Sequence, residues 1–448
     1  MSFPISLATP VSYPGPPPAR ADVAVIGGGV IGVSTALYLA RAGHRVVLLE
    51  KGRIAGEQSA RNWGWVRVQG RDMAEVPLAQ EAQTLWQGFD AECRGRIGLR
   101  QTGVTYLTRS EQSLSNYALW SADARALHGH RSTLLSRDEL RALLPEARAN
   151  WTGALHTPGD MVAEPWAAVP ELARLASEAG ATLVEHCAVR ALDIAAGRIA
   201  GVVTEAGRLH APEVVLAGGA WSRLFLARHG LDLPQLSVRA SVCETGPLPQ
   251  VAGTAAVDAH LAFRPRTDGG YSLAPSMASE LFLGPDALRL LPRWWPLLKA
   301  GGLDLSLRPA APRDWPDGWR TARRWDEDVE TPFERMRILD PAPNRRKIAA
   351  TCRRFAETFP GAGVVSARTA WAGMIDVLPD IVPCIDRLPG PGGLTVATGL
   401  SGHGFGIGPA VGKAVAALVT GERPAHDLTR FRWSRFSDGQ PLEPGPNL

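Results

Sequence analysis

A GxGxxG triplet, a carboxylate downstream of it, and a second glycine cluster near the far end of the chain are the residues here whose spacing could do chemistry. The triplet stands in ADVAVIGGGVIGVSTALYLARAGHRVVLLEKG, residues 21–52. Gly27, Gly29 and Gly32 follow the apolar run Val23–Ile26 and open a helical pattern reaching about Arg41. Gly27 permits a tight strand-to-helix turn, Gly29 lets a pyrophosphate approach the backbone, and Gly32 lets helix and strand pack closely. Val30 and Ile31 then begin a helix whose free N–H groups and positive dipole end suit phosphate. Arg45–Leu49 reads as a second strand, and Glu50 falls 23 residues after Gly27, where a carboxylate accepts ribose hydroxyls. The set predicts a dinucleotide site. Alone it does not choose between NAD and FAD.

The second cluster is TVATGLSGHGFGIGPAVGKAVAALVTGE, residues 395–422. Gly399, Gly402, Gly404, Gly406 and Gly408 make a loop almost without side chains, Pro409 suits a first helical turn, and Val411, Ala414, Val415 and Leu418 follow at helical spacing. A second helix start is thus presented bare. Such a start would stabilise the negative charge of a reduced flavin near N1 and C2=O. NAD chemistry needs no such loop, so the pair of loops favours FAD. His403 lies inside the second loop and reads as either structural or catalytic.

With both loops in view, the chain resembles the D-amino acid oxidase-like family of FAD-dependent oxidoreductases, which includes glycine oxidase, sarcosine oxidase and the D-amino acid dehydrogenases. SARNWGWVRVQGRD (59–72), EVVLAGGAWS (213–222) and AWAGMIDVLPDIVPCID (370–386) also match its pattern. The resemblance implies that Gly27, Gly29, Gly32, Glu50 and Lys51 hold the ADP half. It implies that Ser59, Arg61, Asn62, Trp63 and Gly64 lie along the flavin edge, that Val189 faces adenine, and that Gly218 and Trp221 flank the cofactor. Gly402, His403, Gly404, Phe405 and Ile407 would cover the flavin pyrimidine. Sarcosine-type oxidases attach FAD through a cysteine where this chain has Ala372-Gly373, which implies noncovalent FAD here.

Substrates of the family usually carry a carboxylate, which a bidentate arginine suits. Arg67 and Arg71 follow the flavin-edge loop. Arg264 and Arg266 lie on the strand-like LAFRPR, with Tyr271 just beyond a turn. Arg67 and Arg264 are the first choices, since both alternate with apolar neighbours. Tyr271 and His403 complete the candidate catalytic set, and Trp63 and Trp65 read as pocket wall or core.

The elements that must position these residues predict an α/β chain: a Rossmann-like FAD-binding domain with a second α+β substrate domain built on a mainly antiparallel sheet. The FAD domain is expected to be discontinuous, from 21–75, 153–234 and 366–425. Residues 76–152 and 235–365 form the substrate domain, with 1–20 and 426–448 as tails. Helical patterns are expected at 79–94, 111–128 and 165–179.

Composition bounds the alternatives. A length of 448 residues predicts two or three domains. A net charge of +4 gives little electrostatic support for nucleic acid. Five scattered cysteines show no metal spacing and argue for a reducing cytoplasm. LRLLPRWWPLLKAGG (288–302) reads as a covered apolar segment or as a membrane or partner-subunit contact. NRRKIAATCRRF (344–355) reads as the solvated face of a helix. The expected activity is oxidation of a C–N bond in an amino acid or small secondary amine, giving an imine, with oxygen or an electron-transfer acceptor as oxidant. A 2-hydroxy acid oxidoreductase and a non-catalytic FAD-binding subunit are the alternatives.

Overall fold

The computed structural model describes residues 3–276, 278–299 and 305–446. Val23–Ile26 and Val46–Leu49 are short runs of valine, isoleucine, leucine and one alanine, almost wholly buried, as strands covered on both faces require. They sit at the middle of a six-stranded sheet in the order 384–387, 394–398, 213–216, 23–26, 46–49, 182–184. Its pairings are parallel except at the Cys384–Arg387 edge. The helix Val30–Arg41 leaves the first strand, and Pro165–Glu178 packs beside it.

Among the described residues, a larger sheet of ten strands forms the second layer. Leu236–Thr245 and Ala367–Val377 pair antiparallel along their whole length at its heart, and Tyr271–Ala274 and Ala262–Pro265 extend it. The helix Arg345–Thr358 covers one face with Ile348, Thr351, Cys352 and Phe355 and turns its arginines to solvent, as expected of NRRKIAATCRRF. The observed helices Glu111–His128 and Pro165–Glu178 match their patterns closely, and 79–94 is found as Val76–Glu92.

Several expected boundaries fall elsewhere. Gly153–Thr157 and Ala367–Val377, expected in the cofactor domain, are strands of the ten-stranded sheet. Val76–Glu92, expected in the substrate domain, packs on the second glycine helix: Trp86 lies 5.1 Å from Phe405 and its Nε1–H donates to the Gly406 carbonyl. The expected tails are bound as well. Phe3 packs at a tilt on Trp371, ring centres 5.2 Å apart, and the Glu185 carboxylate accepts from the Ser12 and Tyr13 amides. In 288–302, Leu290, Trp294 and Leu297 are buried, whereas Leu288, Leu291 and Trp295 are exposed; residues 300–302 lie outside the described residues.

At the C-terminal end, Arg435 donates to Asp380, and both side chains are buried. Removing one partner of such a pair leaves an uncompensated charge. Arg435→Ala is therefore expected to destabilise the fold by about 3 kcal/mol, measurable as a lower denaturant midpoint. Arg430, 3.8 Å from Asp380, keeps the cost from being larger.

Candidate active site

The second glycine helix starts at Gly404, earlier than the sequence suggests, so Gly404, Gly406 and Gly408 are helical and Pro409 lies inside rather than in the first turn. The early start has a packing reason. A Cβ on Gly408 would lie 2.5 Å from Val30 Cγ2, and one on Gly412 would overlap Ser34 Cβ and lie 2.8 Å from the Thr35 nitrogen. The two glycine helices therefore cross in near backbone contact. Their N-termini open on one cavity of about 480 Å³.

At one end of the cavity are Gly27, Gly29, Val30, Ile31, Glu50, Lys51 and Val189. A Cβ on Gly27 would overlap the Ala217 carbonyl and one on Gly32 the Gly27 carbonyl, so both glycines serve the turn and the helix contact. A Cβ on Gly29 would meet only Ser59 Oγ, at 3.0 Å, leaving open backbone for a phosphate. Ser59 Oγ accepts from the Val30 amide. Glu50 accepts from the Gly28 and Gly52 amides, both at 2.7 Å. Lys51 lies over the Trp221 ring at 4.5 Å and pairs with Glu57.

Arg61, Asn62, Trp63, Gly218 and Trp221 also line the cavity, as do Gly402, His403, Gly404 and Phe405 at the start of the second glycine helix. The first turn of the second glycine helix has no side-chain cap, so its amides remain free at the cavity. Arg61 Nη2 and Trp65 Nε1 are buried without a partner among the described residues. Two loose ends of this kind beside two bare helix starts suit a long ligand with phosphates at one end and a polar ring system at the other.

The residue pattern that defines the DAO family, described as FAD dependent oxidoreductase, matches residues 22–418. The chain belongs to this family. It is similar to glycine oxidase of Geobacillus kaustophilus (27% identity over 431 residues, 93% of this chain and 97% of that one). It is also similar to N-methyl-L-tryptophan oxidase of Salmonella arizonae (26% over 430 residues, 93% and 99%). Among solved structures, L-amino acid deaminase from Proteus myxofaciens in complex with anthranilate aligns with a TM-score of 0.91 at 30% identity, covering 98% of both chains. This chain is thus an FAD-dependent oxidoreductase, and its cavity has the donors the cofactor needs.

Not every expected site residue of this family member reaches the cavity. Arg264 is a correction: its guanidinium is buried against Glu164, at 2.7 and 3.1 Å, and its Nε–H donates to the Trp63 carbonyl. Tyr271 is another. Its hydroxyl accepts from the Val251 and Ala252 amides and donates to the Ala252 carbonyl, inside the core beside Phe355. Ile407 is wholly buried, on the side of the helix away from the cavity lining. Gly64 serves packing, since a Cβ there would overlap the Ala163 carbonyl. Arg67 does line the cavity, together with Arg71, Tyr106, Val242, Val257, Ser276 and Asp376. Of these, Tyr106, Val242 and Val257 carry no local signal, because strand pairing brings them here, whereas Asp376 lies within the matching segment 370–386.

Burial pushes Glu50 up to about 6, against the opposing pull of Lys51 and the two amides. The sign follows. Below about pH 6 the carboxyl is protonated, which favours the cofactor-free fold but removes the charge with which Glu50 would accept ribose hydroxyls. FAD affinity is expected to fall by up to about tenfold per pH unit below 6, and Glu50→Gln to flatten that slope. Fluorescence titration of apoprotein with FAD between pH 5 and 8 checks this.

Proposed function

We propose that this enzyme oxidises the C–N bond of an amino acid or small secondary amine bearing a carboxylate, giving an imine that hydrolyses. One observation carries the reading: two neighbouring guanidinium groups, Arg67 and Arg71, line the cavity, and Arg71 Nη1 is buried without a hydrogen-bond partner among the described residues. Arg71 also lies 3.9 Å from Glu75, too far for a hydrogen bond. Burial and the neighbouring Arg67 hold its guanidinium down at about 10, so an anion bound between the two arginines would be strongly favoured. The substances named in its relatives, glycine, N-methyl-L-tryptophan and L-amino acids, all carry an amine and a carboxylate.

FAD supplies the acceptor for the electron pair of the substrate C–H bond. The chain supplies placement. Arg67 is steadied by Tyr106, whose ring lies 5.5 Å from the guanidinium carbon, and by donation to the Gln69 carbonyl. Asp160 accepts from the Val68 and Gln69 amides and fixes the segment that carries Arg67 and Arg71. Trp63 and Trp65, edge to face at 5.2 Å, wall the cavity and exclude water. Noncovalent retention of FAD belongs to the same proposal. Cys384 is buried, does not line the cavity, and its thiol is pushed up to about 12 by burial.

The test is anaerobic bleaching of the flavin absorption by D- and L-amino acids, N-methyl amino acids, cyclic imino acids and 2-hydroxy acids. Bleaching by an amine is the expected result. Bleaching by hydroxy acids alone, or by nothing in the panel, would overturn the reading. Acid precipitation is expected to leave the yellow colour in solution.

A further inference from the structure

His403, a candidate catalytic residue by sequence, lines the cavity beside both arginines. Its Nδ1 lies 3.2 and 3.4 Å from the two oxygens of Glu75, whose side chain is fully buried. Burial works to raise Glu75, but the His403 contact and the charges of Arg71 and Arg67 outweigh it and hold the carboxyl below its usual range. An ionised carboxylate only accepts, so Nδ1 carries the hydrogen and Nε2 keeps its lone pair. Nε2 has no hydrogen bond among the described residues and is not among the buried atoms, so it is left to the cavity.

We infer that His403, held by Glu75, takes the proton that an α-ammonium substrate must lose before its C–N bond can be oxidised, and does so only once the substrate carboxylate has docked. The step balances without an oxidant: an N–H bond of the ammonium breaks, its electron pair stays on the substrate nitrogen, and an Nε2–H bond forms. The inference rests on the reading of a carboxylate-bearing amine.

The gating follows from the charges that face His403. These are Arg71 and Arg67 on the segment leading from Trp65 and Glu75 at the start of the Val76–Glu92 helix. Burial, then Arg71 and Arg67, hold His403 down at about 4, while Glu75 opposes them. In that state the imidazole is a poor acceptor for an ammonium proton. A carboxylate between the arginines cancels their repulsion, so burial alone is left to oppose Glu75, and the basicity of Nε2 rises. The base is switched on by the same contact that orients the substrate.

The experiment uses holoenzyme and two ligands that cannot react by this route. One is 3-phenylpropionate, a carboxylate without an amine. The other is α-methylphenylalanine, which has both groups but no α-hydrogen. Flavin difference spectra give the affinities, and calorimetry in buffers of different ionisation enthalpy gives the protons exchanged. Near pH 6 the wild type is expected to take up a fraction of a proton with 3-phenylpropionate and none with α-methylphenylalanine, which brings its own. His403→Asn is expected to abolish the uptake while holding 3-phenylpropionate within about threefold and weakening α-methylphenylalanine about tenfold or more. Glu75→Gln, which keeps the hydrogen-bond geometry, is expected to abolish the uptake as well.

Equal proton uptake in wild type and both variants, or equal weakening of the two ligands, would overturn the inference while leaving the substrate reading in place. Binding of neither ligand to wild-type holoenzyme would overturn both.

Discussion

Replacing Arg71 with leucine is expected to lower kcat/KM by about 10²–10³-fold, with most of the loss in KM. The side chain is almost wholly buried, so a carboxylate bound to it is desolvated on both sides. Truncating one member of such a charge pair costs about 3–4 kcal/mol, since the substrate carboxylate is left buried without its partner. The contact exists in ground and transition states alike, which is why KM carries the effect. Arg71→Lys keeps the charge but loses the fork, and is expected to recover only part of the loss. Arg264→Leu makes the contrast. It strands Glu164 in the core, so it is expected to lower the melting temperature far more than it changes KM. Steady-state kinetics with whichever amine bleaches the flavin, beside thermal melts of each variant, separate the two arginines. A normal KM for Arg71→Leu would remove the carboxylate clamp from the mechanism.

The second large effect is expected at Gly412, far from any substrate. A valine there has no space: its Cβ would overlap Ser34, and backbone atoms of Ser34 and Thr35 lie 2.8 Å away. Backbone cannot rotate aside as a flexible side chain can. Overpacking of this kind costs about 1–3 kcal/mol or more, and the way to relieve it is to part the two glycine helices. Their N-termini then no longer converge on one cavity. Gly412→Val is expected to purify folded but colourless, with FAD affinity reduced by at least about 10²-fold. Gly408→Val presses on Val30 and is expected to act in the same direction. Gly421→Ala provides the control. It has nothing within 4 Å but a φ of 77°, so it is expected to cost about 1 kcal/mol and keep the yellow colour. Absorbance ratios of the purified variants and FAD titration of their apoproteins decide this. Full colour in Gly412→Val would show that the cleft does not depend on the crossing.

The residues legible in the sequence are those whose role is set by near neighbours. Gly32 answers to the Gly27 carbonyl and Val25 of its own strand and turn, and Glu50 reaches back only to Gly28 and forward to Gly52; Gly27 is legible from its positive φ at the turn, although the Ala217 carbonyl that crowds it is distant in the chain. Arg264 misled because its role depends on Glu164, a hundred residues away in the chain, and nothing local distinguishes a paired arginine from a free one. Tyr271 misled in the same way, its hydroxyl being taken by the backbone at Val251 and Ala252. The proline-rich start looks like a tail by composition, yet Glu185 captures it. Ala367–Val377 looks like the approach to the second loop, which it is. Its sheet membership is decided by the facing strand Leu236–Thr245, which no local pattern names.

The crossing of the two glycine helices has a consequence for biosynthesis. Arg41, where the first helix ends, and Gly404, where the second begins, are 363 positions apart in the chain. The half-cleft built by the first helix therefore stands open until the second has been made, and FAD can be gripped from both sides only after that. A chain that folds where FAD is scarce would be left with an open cleft, and its first exposure to proteases would be at this seam.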